Sequence, residues 1–291
     1  MSAAPPSTVS RGVVLMILAV FLFTTMDATA KGLIERYPAP QVIWVRFAGQ
    51  FALVLLILGP RLGPVLRTRF PVLHFWRSAS QFGATTFFFL SLPHVGLAEA
   101  TAVADLNPVL ITLGAALFLG ERLGVRRLAG VVVALLGALI VIRPGAGVFT
   151  WWSLLPLCCA VSYATSALLT RKIGAQESVW ASMVYAALFG TLVAGAALPF
   201  VWQPVAPADL WRFGLVALLG TGAQLCIIRS FSITEAAVVA PFAYLGIVFA
   251  TIWGMVLFDH WPDRWTLLGA LVIVGAGLYV WHRETRAVRP S

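Results

Sequence analysis

Three ionisable side chains, Asp27, Arg46 and Asp105, lie inside long apolar segments, where an unpaired charge is costly. Counted at 1.5 Å per helical residue from the ends of their segments, they reach a similar depth, roughly 10 Å below one surface. Ionisable groups at such depth usually mark a path for a substrate, an ion or a proton. Both charge signs at one depth predict a site for a zwitterion, or for a ligand with a carboxylate or an amine. The two aspartates are the predicted proton carriers.

Structural explanations compete with this interpretation. Asp27 and Lys31 are four residues apart and can pair along one helix face. Arg46 can neutralise Asp105, or extend its guanidinium towards the membrane surface. Neither alternative needs a ligand, so the sequence leaves both open.

Neutral polar and aromatic residues extend the predicted site. Amides at mid-depth can orient a ligand in a mostly apolar pocket, but they can equally hydrogen-bond one helix to another. Aromatic rings can stack on a planar ligand, although packing in the core or against lipid is the competing explanation. The amides are Gln81, Asn107 and Gln224, and the rings are Tyr163, Tyr244 and Trp253. Arg77 fits either the cavity or the membrane interface. Pro108 and Pro241 each remove a backbone hydrogen bond and predict kinks beside the cavity.

Catalytic and metal chemistry find little support in the sequence. The four histidines lie near segment ends without metal-ligand spacing, and the three cysteines lie in apolar runs. The chain has no Gly-x4-Gly-Lys-Ser/Thr loop, which excludes ATP hydrolysis of the P-loop type. We therefore expect no metal and no cofactor. An integral-membrane enzyme is a remote alternative, and a structural or regulatory membrane subunit is another.

Composition sets the fold class. The 291 residues are 60% hydrophobic and only 11% charged, with a mean hydropathy of +0.92, whereas soluble domains are about a quarter charged. A membrane span needs about 20 apolar residues, and ten such segments can be distinguished. The prediction is an all-α integral membrane protein with ten transmembrane helices. The segments cover residues 12–33, 40–58, 71–92, 97–118, 125–142, 151–171, 178–201, 210–231, 235–258 and 265–282.

The net charge of +9 reports orientation and gives no indication of nucleic acid. With a cytoplasmic N-terminus, 13 Lys and Arg residues lie in inside connections and tails, and 5 lie outside. Both termini are therefore predicted to be cytoplasmic, with the protein in the cell inner membrane. The first segment also imitates a signal peptide that ends at Ala28-Thr29-Ala30, but Asp27 is unusual beside such a cleavage site.

The chain resembles itself. Residues 99–105 align with 235–241, and each copy leads to an acidic residue, Glu121 or Asp259, and then to a Leu-x-Gly sequence. Because each copy holds five spans, an odd number, the copies must insert in opposite orientations. Inverted repeats of this kind are typical of secondary transporters. The predicted repeats cover residues 11–143 and 151–283. Similar composition alone is the competing explanation.

The segment from Asn107-Pro108 through Gly120-Glu121 to Gly130 resembles the fourth-to-fifth helix signature of the EamA domain of the drug/metabolite transporter superfamily. Arg46, in Trp-Val-Arg-Phe, matches an arginine often found there. The resemblance spans the chain as two units and implies ten helices, cytoplasmic termini and a central cavity. The second unit departs from the pattern, with Phe258-Asp259 where Gly-Glu is expected and no equivalent of Arg46. The sequence around Asp27 is similar to a bacterial subgroup associated with diverse metabolites.

These observations predict a secondary transporter that moves a small organic metabolite by alternating access. Opposite charges at one depth favour export of an amino-acid-like or amino-acid-derived compound. The alternative is import of a vitamin or cofactor such as riboflavin or S-adenosylmethionine. The expected partners are the metabolite and the lipid bilayer, and the chain is compatible with a monomer or a homodimer.

Overall fold

The computed structural model describes residues 6–119, 125–143, 150–173, 177–234 and 239–287, and these contain no β-strand. Short 3₁₀ turns precede several of the helices. The helices are α1 (Pro6–Ile34), α2 (Ala39–Leu58), α3 (Leu62–Val65), α4 (Pro71–Ser91), α5 (Leu97–Ala104), α6 (Asn107–Leu119), α7 (Val125–Ile142), α8 (Leu155–Ile173), α9 (Val179–Val201), α10 (Leu210–Ile233), α11 (Leu245–Phe258) and α12 (Arg264–Ala287).

Six stretches in the described residues are helical, long and apolar enough to cross a membrane. They are Ser10–Ile34, Ala39–Val65, Leu97–Phe118, Trp151–Ile173, Val179–Val201 and Pro207–Ser230. Three shorter apolar helices cover Leu128–Ile142, Phe242–Phe258 and Arg264–Tyr279. Helix α4 has 21 residues, about 30 Å at 1.5 Å per residue, but is more polar because it carries Arg77 and Gln81. The first segment is an integral part of the fold, since Ala28 and Ala30 are fully buried.

The fourth predicted span is not one continuous helix. Helix α5 ends at Ala104 and α6 begins at Asn107. Pro108 explains the break, because it has no N–H to donate to the carbonyl of Ala104 and its ring crowds that carbonyl. The ninth predicted span also begins irregularly, with a 3₁₀ turn over Ala240–Tyr244 that includes Pro241. Glu121 and Glu235, which the repeat alignment uses, lie outside the described residues.

Four helix pairs form the frame of the bundle: α1 with α10, α4 with α8, α2 with α9, and α7 with α12. The α7–α12 pair approaches closely through two glycines. A Cβ atom on Gly269 would lie 2.7 Å from the carbonyl oxygen of Gly137, so neither position accepts a larger residue without movement. A core that includes Met26, Phe47 and Phe89 fills the space between α1, α2 and α4.

Polar contacts connect the two halves of the chain at both ends of the bundle. At the end that we call the Tyr37 end, the hydroxyl of Tyr37 donates to Asp209 Oδ2 at 3.0 Å and accepts from the amide of Ala206 at 3.1 Å. At the opposite end, the Glu177 end, Glu177 Oε1 accepts from Thr68 Oγ1 and from the amide of Arg69, both at 2.8 Å.

Candidate functional site

A cavity of about 230 Å³ lies among α1, α2, α4, α5, α6, α8, α10 and α11. Apolar side chains such as Phe23, Phe88 and Phe89 form much of its wall. Tyr244 and Trp253 do not line it, whereas seven of the predicted site residues do: Asp27, Arg46, Gln81, Asp105, Asn107, Tyr163 and Gln224. The folded chain therefore brings together residues from six helices that are up to 197 positions apart in sequence (Asp27 to Gln224).

Arg46 is held on the cavity wall by neutral partners. Its Nη1 donates to Thr85 Oγ1, and its Nε lies 3.4 Å from the sulfur of Met26. The guanidinium carbon is 5.1 Å from the ring centroid of Phe47 and 5.9 Å from that of Phe89, distances at which a ring attracts a cation. Arg46 is 9% exposed, so it has not extended to the membrane surface.

Gly220 on α10 makes room for this arrangement. A Cβ atom there would lie 2.8 Å from Met26 Sδ and 3.7 Å from Arg46 Nε. Gly220, which has no side chain, therefore lies where α10 faces the guanidinium of Arg46.

Asp27 does not pair with Lys31, the first structural alternative. The ammonium of Lys31 instead donates to the main-chain carbonyls of Leu92 and Val95, just beyond α4. Asp27 faces the cavity, where its charge interacts with that of Arg46. Within the described ranges it forms no ion pair closer than 4.0 Å.

Asp105 is not neutralised by Arg46, the second structural alternative. It occupies the break between α5 and α6 and lines the cavity. Its Oδ2 atom is buried without a hydrogen-bond partner in the part of the chain that is described. The two carboxyl groups of the cavity therefore differ, since Asp27 interacts with the charge of Arg46, whereas no cation of the described part of the chain interacts in this way with Asp105.

Two of the predicted amides, Gln81 and Gln224, lie between the cavity and Arg77. Gln81 Oε1 accepts from Ser166 Oγ at 3.3 Å, which connects α4 to α8. Gln81 and Gln224 also line a second small cavity of about 20 Å³, together with Arg77. Arg77 donates to Thr170 Oγ1 at 2.7 Å and to the carbonyl of Ser182 at 2.9 Å. Arg77 thus joins α4 to α8 and α9.

Of the three aromatic residues predicted for the site, one lines the cavity and two do not. Tyr163 lines the cavity and is 38% exposed, so its ring is available to a ligand. Tyr244 is buried and does not line the cavity, because its hydroxyl points to α12, where only a glycine, Gly277, leaves room for it. Trp253 packs against Phe21, with 5.9 Å between the ring centroids, and is also absent from the wall.

Sequence reasoning missed Thr85, Thr101 and Cys159, which also line the cavity. Helical spacing could have found them, because each lies four residues from a predicted site residue: Gln81, Asp105 and Tyr163, respectively. Residues four apart share a helix face. Within the described ranges, no three His, Cys, Asp or Glu side chains come together as metal ligands.

A bundle of apolar helices around a cavity lined by acidic and basic side chains is typical of a membrane transport protein. Residues 10–143 and 150–281 each match the EamA-like transporter family. The pseudopaline exporter CntI of Pseudomonas aeruginosa is 30% identical over 91% of this chain and 94% of its own length. The chain therefore belongs to the EamA-like transporter family, within the drug/metabolite transporter superfamily. The prediction of a membrane transporter is confirmed. The chain is a multi-pass membrane protein that transports metabolites, and it is not an enzyme.

Other relatives carry different names. A riboflavin transporter of Rhizobium johnstonii is 29% identical over 99% of this chain and 96% of its own length. An S-adenosylmethionine uptake transporter of Rickettsia bellii is 27% identical, with 97% of each chain covered. One crystal structure is 20% identical and superposes with a TM-score of 0.67, over 96% of this chain and 99% of its own. This last match shows a shared fold.

Proposed function

We propose that this protein is a secondary transporter that exports a small amino-acid-like or amino-acid-derived metabolite by alternating access. The observation that carries the proposal is the placement of Asp27 and Arg46 on one largely apolar cavity. Asp27 would attract the amine of the ligand, and the planar guanidinium of Arg46 would bind its carboxylate. Tyr163, Gln81, Asn107 and Gln224 would orient the rest.

The architecture proposed for this cycle is ten spans in two inverted repeats, residues 11–143 and 151–283. The packing supports it, because exchanging each span with the one five positions later converts the α1–α10 pair into α8–α4 and retains α2–α9 and α7–α12. Two equivalent packings of the halves provide the outward-open and inward-open states. Both termini would be cytoplasmic, in the inner membrane, as the excess of positive residues favours.

Cavity size favours a small amino-acid-like ligand over riboflavin. Sites for drug-sized ligands typically measure roughly 300–1,000 Å³, and this cavity of about 230 Å³ is smaller. Riboflavin, with three fused rings and a ribityl chain, is large for such a space. Import of a vitamin or cofactor is the second candidate, because two relatives bear the names of riboflavin and S-adenosylmethionine transporters. The name of the pseudopaline exporter favours export.

The test compares metabolites inside and outside cells that contain or lack the protein. Export predicts that an amine- and carboxylate-bearing compound accumulates outside in a protein-dependent way. Arg46→Ala and Asp27→Asn should each abolish this difference at unchanged protein level. Arg143→Ala is the matched control. Arg143 Nη2 lies 2.7 Å from Asp263 Oδ2, and neither residue lines the cavity. The proposed site is wrong if both cavity variants retain the difference, and the direction is wrong if the compound accumulates inside.

A further inference from the structure

We propose that Asp105 forms a site for one monovalent cation, H⁺ or Na⁺, separate from the Asp27–Arg46 pair that would hold the organic ligand. The inference deepens the proposed transport function and rests on it, because such a cation would be the coupling ion. Transport coupled to an ion gradient needs a place for that ion that the organic ligand does not occupy.

The break between α5 and α6 places main-chain oxygen beside a carboxyl group. Asp105 follows the last residue of α5, whose final carbonyls carry a partial negative charge, whereas the first amides of α6 carry a partial positive one. Pro108 leaves the carbonyl of Ala104 without its usual amide partner. In membrane transporters, interrupted helices offer such carbonyls to Na⁺ or H⁺. The carboxylate of Asp105 adds a full negative charge next to this carbonyl, and a cation would be attracted to the two together.

Two unpartnered oxygen atoms lie on this side of the cavity. Asp105 Oδ2 and Thr101 Oγ1 are both buried without a hydrogen-bond partner in the described structure. Thr101 is 8% exposed, lies one turn before Asp105, and lines the same cavity. Buried polar atoms are normally hydrogen-bonded, so two unpartnered oxygens one helical turn apart call for an explanation. A bound Na⁺ would take such oxygens as ligands, and a bound proton would turn the carboxyl into a donor to a hydroxyl.

Gly246 on α11 leaves space beside the acid. A Cβ atom at Gly246 would lie 3.4 Å from Val20 Cγ1, 3.8 Å from the methyl carbon of Thr101 and 3.9 Å from Asp105 Oδ2. Because glycine has no side chain, α11 places no side-chain atom of residue 246 between Thr101 and the carboxyl group.

Among the described residues, no fixed cation competes for Asp105. The titratable side chains that interact with it or share its cavity are Cys159 and Tyr163 on α8, Tyr244 before α11 and Asp27 on α1. None of these four carries a fixed positive charge. The guanidinium of Arg46 interacts with Asp27 instead. A mobile cation would therefore supply the missing charge at Asp105.

The test measures cation binding by the purified full-length protein in detergent, without organic ligand. The thermal unfolding midpoint is recorded with NaCl replaced by choline chloride at constant ionic strength, and across pH 5.5–8.5 in choline chloride. A ligand that binds only the folded state raises this midpoint. We expect a rise of several degrees with one of the two cations. Asp105→Asn should abolish that rise, and Glu35→Gln, the matched control, should retain it because Glu35 is an exposed carboxyl group that does not line the cavity. The cation that produces the rise identifies the ion.

Thr101→Val keeps the acid and serves if Asp105→Asn does not fold. It should raise the half-saturating concentration of the bound cation at least threefold. The inference is overturned if neither cation acts on the wild type, if Asp105→Asn responds as the wild type does, or if Thr101→Val leaves half-saturation unchanged. Failure here with an intact metabolite difference leaves the proposed transport standing. Cation binding without any metabolite difference would instead contradict the proposed transport.

Discussion

Arg46 donates a hydrogen bond to Thr85 and not to either carboxyl group of the cavity. Its guanidinium is therefore positioned by a neutral hydroxyl, on a helix that also supplies Gln81 and Phe88 to the same wall. A cation held in this way keeps donors available for the carboxylate of a ligand, because Arg has five N–H groups and Thr85 takes one.

The first prediction concerns that hydroxyl. Thr85→Val removes the acceptor of Arg46 while keeping the shape of the side chain. A hydrogen bond to a charged group contributes about 1.5–3 kcal/mol, so we expect roughly a tenfold or larger loss of protein-dependent metabolite export. Thr86→Val is the matched control, because the buried Thr86 hydroxyl has no partner in the described structure. Equal losses in the two variants would contradict the positioning role of Thr85.

The second prediction uses two neighbouring cysteines that face in opposite directions. Cys159 is buried and lines the cavity, whereas Cys158 is exposed on the outside of the bundle. Cys159→Phe would put a ring into a space of about 230 Å³ and should abolish export. Cys158→Phe should leave export near the wild-type level. Both variants must reach the membrane in equal amounts, which immunoblotting of membrane fractions checks. Full export by Cys159→Phe would show that the ligand does not pass through this cavity.

The sequence was sufficient to predict the helical class and seven of the residues that line the cavity. Charges at depth are rare in membrane helices, so Asp27, Arg46 and Asp105 were conspicuous. The orientation of Tyr244 could not be predicted in this way. The direction of its ring depends on the 3₁₀ turn over Ala240–Tyr244 and on the space at Gly277. Neither feature can be predicted from the helical spacing of apolar residues.

Partners were harder to predict than positions. The spacing of Asp27 and Lys31 suggests a pair, but Lys31 reaches the carbonyls of Leu92 and Val95. Those carbonyls lie in the turn that follows α4, which ends at Ser91, so no continuing helix supplies them with amide donors. Where a helix ends, and what then faces its final turn, depends on tertiary packing. Sequence spacing within α1 carries no such information.

The third prediction tests the Tyr37 end. Asp209 is 3% exposed and accepts from the buried hydroxyl of Tyr37 and from Arg36, whose side chain is 61% exposed. Tyr37→Phe leaves a buried carboxylate short of a donor and should lower the free energy of unfolding by about 1–3 kcal/mol. Arg36→Ala removes an exposed ion pair and should cost at most about 1 kcal/mol. Unfolding curves of the purified variants provide the comparison. A larger loss for Arg36→Ala would reverse the assigned importance of the two donors.

The fourth prediction concerns pH at the Glu177 end. Hydrogen bonds from the amide of Arg69 and the hydroxyl of Thr68, together with the charges of His74 and Arg69, lower the pKa of Glu177 below its ordinary value. Burial opposes this shift but does not cancel it. A carboxyl group whose pKa is lowered on folding stabilises the folded state above its unfolded pKa, roughly 4.3. That contribution is lost as pH falls through the folded pKa.

Glu177→Gln isolates this contribution, because the amide keeps an acceptor oxygen but never ionises. The wild type should unfold at a higher temperature than Glu177→Gln at pH 7, and the gap should shrink as pH falls below about 4.3. In Thr68→Val one of the two donors to Glu177 is gone, so the pKa of Glu177 lies closer to its ordinary value. The difference in unfolding temperature between Thr68→Val and Glu177→Gln should therefore disappear at a higher pH than the difference between the wild type and Glu177→Gln. Scanning fluorimetry between pH 3.5 and 7 measures all three proteins. A gap that stays constant over this range, or widens on acidification, would show that the charge of Glu177 does not stabilise this end of the bundle.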